Sequence, residues 1–257
     1  MITSEAAAKA SRAWLRTQAM LAQAAPGGTV EWGPTGALMS FTTVPIPALN
    51  GVLDIADAPD PREIAALAAS AAQRATMPWS IQLRVTPSTE IRRIAESHGL
   101  VDESTYALMV LSLDEQTAAA PPSGEVRIRA VDGADHKLYS DTLAAGFEIT
   151  PEVFGNLTAP RVLDAAGFTA YLAEYEGAQV GTGFASTVDD CVGLFNISTP
   201  PQYRRRGYAR AMTQSMLNDA YTHGVRIAVL NPSEAGLPLY ESMGFRIVHN
   251  FTRFAAP

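Results

Sequence analysis

Two stretches of this 257-residue chain follow the same script. Residues 80–86 are apolar and strand-like, Pro87-Ser88 opens a helix, His98-Gly99-Leu100 closes it, and 106–113 form a second strand. Near the other end, 226–230 read as a strand, Pro232-Ser233 opens a helix, Met243-Gly244-Phe245 closes it, and 245–254 carry the closing strand. In both stretches proline and glycine stand 12 residues apart, and one offset of 145 lays Ser88 on Ser233 and Leu100 on Phe245. Proline suits a first helical turn and glycine suits a helix end, so the shared spacing has a physical cause. Such a repeat predicts two copies of one supersecondary unit.

Residues 113–125, rich in alanine with a Pro-Pro pair and a glycine, are the best linker. We therefore expect a first domain over 1–115, a linker over 116–124 and a second domain over 125–257. Hydrophobic residues make up 47% of the chain and charged residues 18%, which is ample for a packed core. The net charge of -7 speaks against a general nucleic-acid binder and favours a cationic substrate such as an amine. A single cysteine, Cys191, offers neither an internal disulfide nor a multi-cysteine metal site, and it reads as a buried bystander in a strand. The first 23 residues are interrupted by Glu5, Lys9, Arg12 and Arg16, unlike a signal peptide, and no segment approaches a membrane span. A soluble, cytoplasmic protein without a membrane partner is expected.

The second part alternates clearly. A strand over 126–130 precedes a helix over 134–145 and a short helix over 151–157. A hairpin follows, 168–175 and 178–187 about Glu176-Gly177, and then a strand over 191–198. A long helix closes near His223-Gly224, with Ala209, Met212, Met216, Leu217 and Ala220 at helical spacing. This order predicts a mixed α/β sheet.

Between that strand and that helix lies Arg204-Arg205-Arg206-Gly207-Tyr208-Ala209-Arg210. Gly207 and Ala209 let another molecule approach the backbone. The first amides of a helix lack intrahelical partners, and with the dipole they form an anion site suited to a pyrophosphate. Four arginines add charge of the right geometry. A solvated basic turn at a helix start would carry the same residues.

Arg204 to Ala209, R-x-x-G-x-A, resembles the coenzyme A pyrophosphate loop of the GNAT (Gcn5-related) N-acetyltransferases. The preceding Ile197-Ser198-Thr199-Pro200-Pro201 is similar to the end of that family's fourth strand. Gly236-Leu237-Pro238-Leu239-Tyr240-Glu241-Ser242-Met243-Gly244-Phe245 is similar to its final helix. The resemblance covers about 125–254 and reaches the earlier part only through the repeat. It implies a mixed, mostly antiparallel GNAT sheet flanked by helices, here as two GNAT-like halves.

The resemblance also implies roles. Backbone near Ile197 and Thr199 would bond the acyl carbonyl and pantetheine amides of acetyl-CoA. Arg204, Arg205, Arg206, Gly207, Tyr208, Ala209 and Arg210 would bind its pyrophosphate, and Asn231 and Ser233 would contact the pantetheine arm. Tyr240 would be the general acid for the departing thiolate, a task that requires a proton donor within hydrogen-bond reach; by itself it could equally be a core aromatic. Glu148, in the loop after the first helix of this part, is the candidate base. The offset puts Ala95 where Tyr240 stands, and Ala58-Pro59-Asp60-Pro61 lacks a Gly-x-Ala loop. The first part is therefore a degenerate copy that completes the sheet, covers an edge or shapes the acceptor pocket.

No metal-ligand spacing is present. Asp189 and Asp190 read as turn residues, and His98 and His223 as helix-end residues. Trp14, Trp32 and Trp79 default to core or interdomain packing. Acetyl transfer to a primary amine leads the functional readings. A catalytically silent acyl-CoA sensor and a nucleotide-binding protein are the alternatives, and the assembly is a monomer or homodimer.

Overall fold

The computed structural model describes residues 2–118 and 126–257, so most of the expected linker lies outside the described residues. In chain order the first part contributes α1 (Ser4–Ala24), β1 (Thr29–Trp32), β2 (Leu38–Phe41), β3 (Asn50–Asp54), α2 (Pro61–Arg74), β4 (Ser80–Leu83), α3 (Thr89–Ser97), β5 (Asp102–Ser112) and α4 (Glu115–Ala118). The second contributes β6 (Arg127–Val131), α5 (His136–Phe147), α6 (Pro160–Leu163), β7 (Phe168–Tyr175), β8 (Ala178–Val188), β9 (Cys191–Ser198), α7 (Tyr208–Thr222), β10 (Ile227–Leu230), α8 (Leu237–Ser242) and β11 (Arg246–Ala255).

Local chemistry sets the helix starts. Thr3, Asp60 and Ser88 each accept a backbone N–H of the first turn, from Ala6, Arg62 and Ile91 at 3.1, 2.9 and 3.3 Å. Gly99 and Gly244 follow their helices with φ of 73° and 96°, a left-handed conformation that glycine adopts without strain. Residues 151–157 depart from expectation: a 3₁₀ turn covers only Pro151–Phe154, and α6, four residues long, carries too little periodicity to announce itself.

All eleven strands form one sheet in the order β1-β2-β3-β4-β11-β5-β10-β9-β8-β7-β6. Its pairs are antiparallel except β3 with β4 and β9 with β10. β5, from the first part, lies between β10 and β11, while β11, from the second, lies between β4 and β5. Tyr106 of β5 stands directly opposite Phe251 of β11, their rings stacked at 5.1 Å. These two residues are separated by 145, the offset of the repeat.

Alternation along the strands sends side chains to two faces. On one, α1 lays Ala10, Ala13 and Trp14 over Leu108, Val110, Val229 and Phe251, while Tyr139 and Leu143 of α5 meet Ala170, Leu172 and Phe184. On the other, α7 buries Met212, Met216 and Leu217 against Ala173, Ala185 and Ala228, while α2 and α3 bury Ile64, Leu67 and Ile91 against Val52, Ile81 and Leu83. Trp32, expected in a core, is 48% exposed because β1 is an edge strand. Cys191 is buried, and burial first, then the nearby Asp190 carboxylate, pushes its thiol up to about 12. It is therefore unreactive at neutral pH. Among the described residues no helix is long and apolar enough to cross a membrane.

The β8–β9 turn is tied to α1 by Lys9–Asp190 at 2.8 Å and Arg16–Asp189 at 2.9 Å. The Lys9 bond lowers the Asp190 pKa and raises that of Lys9. Its contribution is thus present above the ordinary carboxylate pKa of about 4 and below the ordinary lysine pKa of about 10. Lys9→Met is expected to lower Tm slightly at pH 7, and the difference should vanish near pH 2 and in high salt. Thermal melts across pH and ionic strength measure it; a full-size effect at pH 2 would disprove the assignment.

Candidate active site

β9 and β10 pair only through Cys191, Val192 and Gly193, opposite Ile227, Ala228 and Val229. On its other side β9 bulges against β8 between Phe195 and Ser198, where Asn196 takes a φ of 51°. A bulge bends and twists a strand. From Leu194 onward β9 has no ladder partner on its β10 side. A cavity of about 340 Å³ fills this region, lined by Leu194, Phe195, Asn196 and Ile197 of β9 and by Leu230, Asn231, Pro232 and Ser233 at and after the end of β10. Tyr240 and Phe147 also line it. The rest of the wall is Trp14, Gln18, Ala48, Leu49, Gln82 and Tyr106 from the first part, with Arg253 of β11.

Beyond β9 the chain makes a 3₁₀ turn at Pro201–Tyr203 and enters α7 through left-handed Arg205 and Gly207, with φ of 64° and 87°. Gly207 is the N-cap, and no side chain caps the helix. The first amides of this 15-residue helix are thus left without a side-chain acceptor, and left-handed residues in such loops turn amides into an anion cradle. The Thr199 hydroxyl, just ahead of this turn, is buried without a partner. The loop fits a phosphate-bearing ligand.

The arginines divide their tasks. Arg204 does not stand free for a phosphate: it bonds the carbonyls of Thr199 and Gly146 at 3.1 and 2.9 Å and pairs with Glu148 at 2.7 Å. Arg210 donates to Ser242 of α8 at 2.5 Å, and Arg206 lies over the Tyr203 ring. Arg205 and Arg206 are exposed and form no ion pair among the described residues. Tyr208 is a core residue, its ring 5.8 Å from that of Tyr175, so only its backbone faces the loop. Ala209 is half-buried behind it. Asn231 donates to the Ala107 carbonyl at 3.0 Å, fastening the end of β10 to β5. Ser233 accepts the Gly236 N–H at 3.1 Å and sets the turn into α8.

Tyr240 is 8% exposed, edge-on to Phe245, and lines the cavity. Burial raises its hydroxyl to about 12 against a smaller opposing pull from a Thr213 hydrogen bond, so it keeps its proton at neutral pH. Glu148 is placed differently from the expected base: it caps α5 in a left-handed conformation, is held by Arg204 at the surface and does not line the cavity. Among the described residues no histidine lines it either. His136 sits against the Gly133 carbonyl, and His223 against that of Asp219. His98 packs on Trp79, and His249 lies near Arg84, with its pKa lowered by burial and then by that charge. No metal-ligand group occurs among the described residues.

The α5 loop approaches β9 closely. A Cβ on Gly146 would lie 2.3 Å from the Ser198 hydroxyl and 3.1 Å from the Thr199 nitrogen. Gly146→Ala is expected to cost about 1–3 kcal/mol by overpacking and to lower kcat/KM through displacement of β9. A Tm fall of roughly 2–10 °C together with weaker turnover would agree, and an unchanged Tm would disprove it.

Sequence reasoning missed Gln18, Gln82, Tyr106 and Arg253, which belong to no motif. Only Gln18 left a signal, as a polar residue one helical turn after Trp14 on the buried face of α1.

Residues 127–248 match the family described as Acetyltransferase (GNAT) domain. The [ribosomal protein bS18]-alanine N-acetyltransferase of Escherichia coli K12 is 32% identical over 72 residues, 27% of this chain and 49% of the relative. The chain thus spans about half the length of the curated relatives it matches. A GCN5-related N-acetyltransferase from Kribbella flavida superimposes with a TM-score of 0.65 at 17% identity, over 96% of this chain and 95% of its own. Another from Sphaerobacter thermophilus gives 0.51 at 23% identity, over 70% and 61%. These structures share the fold, a mostly antiparallel mixed sheet between helices. The family match thus places the likeness to a GNAT acetyltransferase domain over residues 127–248, just under half of the chain.

Proposed function

We propose that this chain transfers an acetyl group from acetyl-CoA to a primary amine. Two observations carry the reading: the uncapped, left-handed entry to α7 that follows β9, and a buried, protonated Tyr240 along the wall of the cavity between the splayed ends of β9 and β10. Bound acetyl-CoA supplies the activated acetyl group. The amides at Gly207 to Ala209, with Arg205 and Arg206, hold its pyrophosphate. Unpaired backbone of β9 around Ile197 and Thr199 takes the pantetheine amides and polarises the carbonyl. Tyr240 delivers its proton to the departing sulfur. Arg204 and Glu148 act together as a brace between α5 and the end of β9. With Glu148 so engaged, the amine loses its proton to solvent before attack. The bS18-alanine relative, whose name specifies an alanine acceptor, supports an amine.

The two-half reading belongs to this proposal. The stacked pair at the centre of the sheet, Tyr106 and Phe251, and the matching order β3-β4-β11 and β9-β10-β5 support a degenerate first copy over 1–115 and a catalytic copy over 125–257. The first copy lacks the donor loop, since Asp60 caps α2 where Gly207 opens α7. It contributes the acceptor wall.

Free thiol released from acetyl-CoA in the presence of an amine panel tests the function. Amine-dependent release supports it. Binding without release would leave the silent sensor, and no binding would overturn both.

A further inference from the structure

The cavity wall where the first part meets β11 has an unusual charge. Among the described residues the cavity lining contains one charged side chain, Arg253, and no aspartate, glutamate, lysine or histidine. In a chain of net charge -7, this guanidinium forms no ion pair among the described residues. Its contacts are weak, the Ser104 hydroxyl at 3.4 Å and the Tyr106 ring at 6.0 Å. Nearby polar groups are already engaged. Tyr106 donates to Gln82 Oε1 at 2.8 Å, and Gln82 Nε2 donates to the Ala48 carbonyl at 3.1 Å. Gln18 differs: it is 6% exposed, lines the cavity, and its Oε1 has no hydrogen-bond partner. A buried acceptor left unmade is costly, so it marks a place where a ligand N–H belongs.

We infer that the acceptor is an amine that also bears a carboxylate, its anion held by Arg253 and its amine N–H by Gln18 Oε1. This rests on the acetyl-transfer reading for the fate of the amine but not for the charge preference of the cavity. One guanidinium matches a monoanion, and its planar fork suits a carboxylate. A phosphate dianion would call for further cations. A polyamine or other polycation would meet a like charge and no carboxylate. The aromatic wall of Trp14, Phe195 and Tyr106, with Trp14 and Phe195 stacked at 5.1 Å, favours a flat or apolar body.

The test uses the full chain and two probes that differ only in charge, N-acetyl-L-phenylalanine and its uncharged amide, with tryptophan fluorescence and calorimetry as readouts. The acid should bind at least tenfold more tightly than the amide. Arg253→Met should bring the two within about twofold, Arg253→Lys should retain a preference, and Gln18→Leu should weaken both. Equal binding, tighter binding of the amide, or no binding of either would overturn the inference. Should Arg253→Met fail to fold, the Lys variant and the wild-type comparison still decide. In a parallel assay with acetyl-CoA, turnover of spermidine but not of amino acids would also overturn it while leaving acetyl transfer intact. Failure to bind acetyl-CoA would sink acetyl transfer and with it the acceptor role, while the cavity's preference for a carboxylate would stand.

Discussion

Tyr240→Phe is expected to lower kcat by about 10²- to 10⁴-fold, the range for general acid–base catalysis, and to leave acetyl-CoA affinity unchanged. Phenylalanine keeps the edge-on contact with Phe245 and the burial of the ring, so stability should change little. The pH profile separates this role from packing. Because burial holds Tyr240 near 12, the ring keeps its proton throughout pH 6–10 and should impose no alkaline fall in rate there. The rate should instead rise with pH as the amine loses its proton. Stability has the opposite sign: a tyrosine with raised pKa contributes below its ordinary value of about 10, and that contribution is lost as pH climbs towards about 12. A kcat within threefold of wild type would remove Tyr240 from the chemistry.

Gly207→Glu should abolish measurable acetyl-CoA binding. Gly207 has a φ of 87°, and a side chain in that region costs about 1–2 kcal/mol. A carboxylate about 5 Å from a phosphate adds roughly 3 kcal/mol at an effective dielectric near 20. Together they amount to about a 10³-fold loss. Gly207→Ala isolates the conformational part and should cost about tenfold. Calorimetry measures both, with circular dichroism to show that α7 persists. Wild-type affinity in the glutamate variant would mean the loop is only a basic helix start.

What could be read in the sequence was local. Ser88 announced α3 because a cap acts over three residues, and the Arg204–Ala209 loop stood out as a candidate because a helix entry and its free amides fall in the same segment. Where side chains would point was harder. Four arginines look alike in sequence, yet Arg204 is drawn to carbonyls that only the α5–β9 approach brings within reach. Tyr208 sits in the motif but faces the core. The cavity wall where the first part meets β11 was hidden for a stronger reason. Gln18 and Arg253 come from opposite ends of the chain, and no periodicity encodes which strands become neighbours. The offset of 145 raised the expectation of two related units, but said nothing of β5 lying between β10 and β11, or of β11 between β4 and β5.

That exchange has a consequence for biosynthesis. β4 pairs with β3 on one side and finds its other partner only in β11, late in the chain, so the first 118 residues leave the ribosome with an open sheet edge. In the proposed two-half arrangement neither half closes its sheet without the other, and folding waits for β11 to be translated. Non-local closure of this kind is slow. In the interval, two nascent chains could trade β11 for β11 and tangle into a swapped dimer. Separate fragments ending before and starting after the linker should then be unstable alone and recover structure when mixed, a complementation that independently folding units would not show.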